Sequence, residues 1–240
     1  MLRLRQIAMV APDLAPVEEV VGQMLAAEVC CRDPGVGKYG LHNALWALGG
    51  TFLEALAPLQ ENTTAGRYMA RRGGATGYMV ILDTDELAPV RDRLTAQGTR
   101  IVEDLTVGDA ALHATALHLH PRDTGGCLLS IDHHGPDGGM MGSYMWAGSA
   151  WHAQANASLA ISGAMMTCDD PTATASRWSH ILDRPAVPHS AGWRITLDNA
   201  ALDFMPNIGP AGEGLAAIRL TGLNAKARSC GLDFLPETNQ

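Results

Sequence analysis

An internal repeat is the feature that most limits how this chain can fold. Residues 10–25 (VAPDLAPVEEVVGQML) and 82–97 (LDTDELAPVRDRLTAQ) align without gaps. Both contain an Asp followed by Leu-Ala-Pro-Val, offset by one residue in the second copy, and Asp13 and Asp85 stand 72 residues apart. Repeats of this kind usually fold as copies of one supersecondary unit. The sequence therefore predicts a duplicated module.

Each copy shows the same order of predicted elements: a strand, a helix and three strands. Apolar residues recur at helical spacing in the helices, and short apolar runs bounded by Gly or Pro indicate the strands. Gly49-Gly50 is a two-residue hairpin signal. In the first copy these elements are 4–10, 16–27, 28–32, 41–48 and 51–57. In the second copy they are 77–82, 86–97, 99–104, 115–120 and 127–132.

The rest of the chain suggests a weaker third copy. Residues 157–167 have the pattern of a strand, and Asp169-Asp170-Pro171 is a strong start for a helix that ends near Leu182. We expect paired modules over 1–134 (1–60 and 75–134), a Gly-rich linker with exposed aromatic side chains over 135–156, and a divergent third module over 157–240. Further short strands are expected at 192–198, 200–205 and 214–221.

Composition excludes several classes of function. The net charge of −8 argues against a nucleic-acid surface, which needs clustered basic residues. No run approaches the roughly 20 apolar residues of a membrane span. The five cysteines are odd in number and form no C-x-x-C pair, so a disulfide framework or zinc knuckle is not expected. Reduced cysteines and a cytoplasmic location fit this composition.

The order of elements and two short pieces resemble the vicinal oxygen chelate superfamily, also called glyoxalase-like proteins. The pieces are Thr51-Phe52-Leu53-Glu54 and the run 120–129, HPRDTGGCLL. The second piece is similar to the hairpin between the third and fourth strands of methylmalonyl-CoA epimerases and glyoxalases. The resemblance covers 4–132 by motif and 157–221 by topology. It implies an α+β fold in which βαβββ modules curl their mixed sheets into a cup.

The resemblance also implies a divalent metal ion in the cup, held by the first and fourth strands of each module. These positions fall on Gln6 and Glu54 in the first module and on Tyr78 and Ser130 in the second. Gln6 and Glu54 are acceptable ligand types, whereas Tyr78 and Ser130 depart from the family pattern. His118 is a further candidate ligand, since His118 and His120 share one face of a strand.

Glu54 and Tyr78 are the candidate catalytic residues, and Trp46, Phe52, Ser130 and His120 are the candidate substrate contacts. A buried carboxylate is the usual general base of a cleft. The alternative for Glu54 is a position at the cup mouth, in contact with solvent. His42 could pair with Glu54, although a two-residue turn at Gly49-Gly50 would place Asn43 on the Glu54 face instead.

Three functions remain open from the sequence. The first is a lyase, isomerase or epimerase of the vicinal oxygen chelate type, acting through an enolate on a small oxygenated molecule. The second is a metal-free protein that binds and sequesters a small apolar compound. The third is a structural protein that dimerises through its third module. Partners are expected to be a small molecule and a second copy in a homodimer, with no nucleic acid and no membrane.

Overall fold

A computed structural model describes residues 1–209 and 212–237. Over these residues the chain forms two seven-stranded mixed sheets with five α-helices. The strands are β1 (Leu2–Val10), β2 (Leu41–Leu48), β3 (Thr51–Pro58), β4 (Thr76–Thr84), β5 (Ile101–Gly108), β6 (His113–Leu119), β7 (Leu128–Gly135), β8 (Ala160–Cys168), β9 (Ala186–His189), β10 (Gly192–Thr196), β11 (Ala201–Pro206), β12 (Gly214–Thr221), β13 (Ala227–Ser229) and β14 (Leu232–Pro236). The helices are α1 (Ala15–Leu25), α2 (Thr64–Arg71), α3 (Ala88–Ala96), α4 (Pro121–Thr124) and α5 (Pro171–Leu182).

The first sheet joins the two repeats side by side. Its order is β2-β3-β1-β4-β7-β6-β5, and the first strands of the repeats, β1 and β4, pair antiparallel at its centre. Each first strand pairs in parallel with the last strand of its own repeat, β1 with β3 and β4 with β7. The sheet curls into a half-barrel, as expected for glyoxalase-like modules. Its concave face is called the hollow below.

The second sheet has the same plan. Its order is β13-β14-β12-β8-β11-β10-β9, with β12 and β8 antiparallel at the centre. The run β8, α5, β9, β10 and β11 repeats the order of strand, helix and three strands. β12, β13 and β14 follow within residues 214–237, where the structure shows no helix.

The helices form where the sequence pattern indicates them. Val17, Val21 and Leu25 recur every four residues along α1 and are its buried side chains. At the start of α5, the Asp170 side chain accepts a hydrogen bond from the Ala173 backbone N–H at 2.9 Å, and proline occupies the first turn. No helix in the described ranges is long and apolar enough to cross a membrane.

The outer face of the first sheet packs against helices and the second sheet in one hydrophobic cluster. Gly77 on β4 leaves room for Leu215 on β12, since a Cβ at Gly77 would lie only 2.7 Å from the Leu215 Cβ. The fully buried Trp178 of α5 donates to the Thr124 carbonyl at 2.7 Å. The largest hydrophobic cluster therefore lies on the outer face of the first sheet, and two smaller clusters lie on the hollow side.

Two local features differ from the sequence expectations. Residues 28–32 form no strand; only an isolated bridge joins Cys31 to Leu45, because a 3-10 turn begins directly afterwards at Pro34. Conversely, α2 was not predicted. It has a single buried side chain, Ala65, and so lacks an apolar stripe, but Thr63 accepts a hydrogen bond from the Gly66 N–H and starts it.

The segment 136–156, called the strap below, lies across the hollow. Its aromatic side chains were expected to be exposed, yet Tyr144 and Trp151 are buried. Tyr144 stacks on Phe52 with ring centroids 4.2 Å apart, and Trp151 packs edge-on to Phe52 at 5.0 Å. The Arg5 side chain donates to the Met140 carbonyl at 2.8 Å. The aromatic rings are buried because the first sheet offers Phe52 as a partner.

We predict that Gly50→Ala displaces the strap without unfolding the sheets. A Cβ at Gly50 would overlap the Met140 carbonyl of the strap, while Gly50 does not adopt a positive φ that would itself disfavour Ala. Hydrogen exchange should therefore rise over 138–156 and stay unchanged over β8 and β11. Gly37→Ala is the control, since nothing lies within 4 Å of its added Cβ. Unchanged protection of the strap in Gly50→Ala would contradict the observed docking.

Candidate functional site

Strand alternation decides which side chains enter the hollow. On β3, Phe52, Glu54 and Leu56 point into it, whereas Leu53 and Ala55 lie in the outer core. Leu45 of β2 pairs directly with Glu54, so Asn43 lies on the Glu54 face. The register set by the Gly49-Gly50 turn therefore selects Asn43 as the neighbour of Glu54.

Glu54 is a buried carboxylate held by two neutral amides. Asn43 donates to its Oε1 at 2.7 Å, and Gln6 donates to its Oε2 at 2.8 Å. Burial and, less strongly, the nearby Asp33 charge raise the pKa of Glu54 from 4.5 to about 7, against the lowering effect of the two hydrogen bonds. A carboxyl group with this pKa can both accept and release a proton near neutral pH.

Gln6 connects Glu54 to the strap. The pairing of β1 with β4 is irregular between Leu4 and Gln6, and both Arg5 and Gln6 reach the strap side of the sheet. The Tyr144 hydroxyl donates to Gln6 Oε1 at 2.8 Å. The three side chains Tyr144, Gln6 and Glu54 therefore form one buried chain of hydrogen bonds.

The second repeat binds the strap through β7. Asp132 accepts hydrogen bonds from the Ser130 hydroxyl and, at 2.7 Å, from Trp146 Nε1 of the strap. His134 Nδ1 accepts from the Met145 backbone N–H at 3.1 Å. Alternate residues of β7 thus hold the strap, and the Ser130 hydroxyl is engaged within the protein.

An apolar wall lies beside Glu54. It is formed between the sheet and α2 by Ala8, Val10, Leu41, Leu56, Ala65 and Tyr78, with Met69, Met79 and Leu128 partly exposed against it. Burial raises the pKa of Tyr78 to about 12, and the nearby charges of Glu54 and Tyr39 act in the same direction. Tyr78 is therefore a neutral phenol at physiological pH, close enough to sense the charge on Glu54.

Polar side chains bridge the two ends of the sheet at the mouth of the hollow. Glu103 of β5 accepts from Lys38 Nζ at 2.8 Å and from the Tyr39 hydroxyl at 2.5 Å. His118 Nδ1 lies 3.1 Å from the same carboxylate. Lys38 and Tyr39 precede β2 at one edge of the sheet, whereas Glu103 lies in the opposite edge strand. This bridge, called the rim below, joins the two edges of the curled sheet.

The structure brings together some of the residues that the sequence indicated. Gln6, Glu54 and Phe52 lie in the hollow, with Tyr78 in the wall and Ser130 on β7. Trp46 is in the outer core, because alternation along β2 points it away from its neighbour Leu45. His120 accepts from the Arg122 N–H at 3.1 Å and caps α4. His118 belongs to the rim, on β6, which two strands separate from β1.

The four positions that the family uses for a metal do not form a ligand set here. Both ends of the Gln6 amide are hydrogen-bonded, to Tyr144 and Glu54, and Ser130 is bonded to Asp132. The raised pKa of Tyr78 keeps it a neutral phenol at neutral pH, a form that is a weak metal ligand. Across residues 1–209 and 212–237, no three His, Cys, Asp or Glu side chains converge in a geometry that could hold an ion.

Several residues of this site were not identified as functional from the sequence. Tyr144 and Trp146 lie in a Gly-rich segment without periodicity, so no local signal indicates their burial. Lys38 and Glu103 are 65 residues apart and meet only through the curl of the sheet. Asn43 was placed on the Glu54 face by the hairpin register, but no role was assigned to it.

Comparisons with known proteins agree with this architecture. The model of a family described as a glyoxalase-like domain matches residues 7–182. The ethylmalonyl-CoA/methylmalonyl-CoA epimerase of Cereibacter sphaeroides is 25% identical over 130 residues, which are 54% of this chain and 96% of that protein. A crystal structure of a hypothetical protein from Staphylococcus aureus superposes with a TM-score of 0.74 at 12% identity and covers 99% of both chains. That likeness shows the fold of the whole chain.

We predict that Glu54 makes the stability of the protein depend on pH. The pKa of Glu54 is raised from 4.5 to about 7, so the folded protein retains a proton that the unfolded chain loses between these values. This contribution is complete below about pH 4.5 and is lost as the pH rises through about 7. We compare the unfolding free energy of the wild type with that of Glu54→Gln at each pH. The value for the wild type, relative to the variant, should fall by on the order of 3 kcal/mol between pH 4.5 and pH 7.

Urea denaturation at several pH values measures this difference. Glu19→Gln, on the exposed face of α1, is the matched control and should leave the pH dependence unchanged. Parallel curves for the wild type and Glu54→Gln would show that Glu54 titrates at an ordinary pKa.

Proposed function

This chain belongs to the glyoxalase-like domain family, and on that premise we propose that Glu54 is the acid–base group of a proton-transfer enzyme of the isomerase or epimerase type. One observation carries the proposal. Glu54 is buried beside an apolar wall with two neutral amides as its hydrogen-bond partners, and its pKa is raised to about 7. A purely structural carboxylate would more commonly be paired with a cation, which lowers its pKa.

The proposed reaction begins with proton abstraction. The Glu54 carboxylate takes a proton from a carbon next to a carbonyl, and the bonding electrons move into an enolate. Return of a proton from Glu54 to a neighbouring carbon gives isomerisation, whereas return to the same carbon on the same face regenerates the substrate. Tyr78, a neutral phenol near Glu54, is the proposed second proton donor for return on the opposite face, which gives epimerisation. Matching the pKa of the base to the working pH is what makes this step efficient.

The apolar wall and the rim suggest the class of substrate. A short apolar part would pack on Tyr78, Met79 and Leu128, and an oxygenated part would lie toward the polar rim. The curated relative is named for epimerisation of ethylmalonyl-CoA and methylmalonyl-CoA. An acyl thioester with an acidic α C–H is therefore a reasonable first probe.

The proposal assigns this chemistry to protein side chains. A divalent metal in the hollow is the part of the family pattern that the donor set does not support. Supply of Mg²⁺, Mn²⁺ or Co²⁺, or its removal by chelator, is accordingly expected to leave exchange unchanged. Four expectations remain parts of this proposal. Phe52 and Ser130 contact the substrate, the protein forms a homodimer, it is located in the cytoplasm, and the chain is divided at 135–156.

Sequestration of a small apolar compound is the second candidate. The methionines Met69 and Met79 at the partly exposed edge of the wall favour it, because flexible apolar side chains suit permissive binding. The two functions differ in what Glu54 does. Sequestration requires only binding, whereas the enzyme must exchange the α-proton of its ligand with solvent.

We predict that the protein catalyses exchange of an α-proton and that Glu54→Gln slows it by about 100-fold or more, the usual contribution of a general base. Racemic methylmalonyl-CoA in D₂O is the first probe, and loss of the α-proton NMR signal is the measurement. Glu19→Gln, an exposed substitution on α1, should exchange at the wild-type rate. Equal rates for the wild type and Glu54→Gln would refute the role of Glu54. Binding without exchange would favour sequestration.

A further inference from the structure

We propose that Tyr144 of the strap is a positioning residue: acting through the Gln6 side chain, its hydroxyl keeps Glu54 in the ionised form that accepts a proton. The proposal rests on the role assigned to Glu54 in the proposed function, but its physical content is a property of the unliganded protein. It gives the strap a function beyond filling part of the hollow.

The geometry gives the chain of bonds a direction. The Tyr144 hydroxyl donates to Gln6 Oε1 at 2.8 Å, and Gln6 Nε2 donates to Glu54 Oε2 at 2.8 Å. Tyr144 is fully buried, and Gln6 and Glu54 are 2% and 6% exposed, so water has little access to the bonds between them. An amide has its acceptor at one side and its donor at the other. The group that fixes one side of the Gln6 amide therefore decides what the other side offers to Glu54.

The opposite orientation of Gln6 suits the protonated acid. With the amide turned over, Nε2 would donate to the Tyr144 oxygen, and Oε1 would accept a proton from neutral Glu54. The Tyr144 hydrogen would then lose its acceptor in a buried site, where an unsatisfied donor costs about 1–3 kcal/mol. The Tyr144 hydroxyl thus biases the amide toward the orientation that stabilises the carboxylate.

Other groups around Glu54 do not replace this effect. Asn43 donates to the second oxygen, Oε1, in the same way for either orientation of Gln6. Asp33 and the Cys31 thiol, from the segment before β2, and Tyr78, from β4, also lie near enough to interact electrostatically with the carboxyl group. Asp33 opposes ionisation of Glu54 by its negative charge, so the amide donors carry the stabilisation of the carboxylate.

The test is the titration of Glu54, followed by NMR of its ¹³C-labelled side-chain carboxyl in the full-length protein and assigned with Glu54→Gln. Tyr144→Phe keeps the ring that stacks on Phe52 and removes only the hydroxyl. It should raise the midpoint by about one pH unit. Trp146→Phe is the matched control, since it removes a strap hydrogen bond to Asp132 that does not lead to Glu54. Its midpoint should equal that of the wild type.

A second pair of variants tests whether Tyr144 acts through Gln6. Gln6→Met removes the middle of the chain and should itself raise the midpoint, and adding Tyr144→Phe to it should change nothing further. An unshifted Tyr144→Phe, equal shifts in Tyr144→Phe and Trp146→Phe, or additive shifts in the double variant would overturn the proposal. Proton exchange is measured separately. A shifted midpoint without catalysis would refute the proposed enzymatic function but not the positioning of Glu54 by Tyr144.

Discussion

The site depends on Glu54, a carboxyl group that is buried in the hollow and has no cation of residues 1–209 and 212–237 bound to it. Removing Glu54 from water favours its neutral form, and two amide donors return part of the stability of the charged form. The balance of these two effects places the pKa of Glu54 near neutral pH. A salt bridge at the same place would have made Glu54 a permanently ionised structural residue. The rest of the first sheet, from the hairpin register to the strap, serves to keep these neighbours in position.

The strap distinguishes this chain from a simple pair of modules. Its rings fill the side of the hollow next to Phe52, and its polar groups bind residues from both repeats, Gln6 in the first and Asp132 and His134 in the second. The segment that leads to the second sheet is therefore part of the site in the first sheet. A movement of the strap would change both the volume of the hollow and the hydrogen bonds that reach Glu54.

The sequence predicted the parts of the structure that depend on local pattern. The repeat around Asp13 and Asp85 indicated the duplicated modules, and the Gly49-Gly50 turn fixed a register that places Asn43 beside Glu54. What could not be predicted depends on tertiary contact. Tyr144 is buried because Phe52, 92 residues earlier, provides a stacking surface. Trp46 shows the reverse case. It follows Leu45 directly on β2 and therefore points to the opposite face of the sheet, into the outer core. The resemblance to the family indicated the positions of Gln6 and Glu54, but not that Gln6 would be hydrogen-bonded at both ends.

The central claim is that a single buried carboxyl group changes protonation near neutral pH. Infrared difference spectroscopy between about pH 6 and pH 8 tests it directly, because a protonated carboxylic acid and a carboxylate absorb at different frequencies and ordinary Asp and Glu side chains are ionised throughout this range. We expect a carboxylic-acid band near pH 6 that disappears near pH 8 and is missing from Glu54→Gln. The same spectrum for the wild type and Glu54→Gln, with no such band in either, would contradict it.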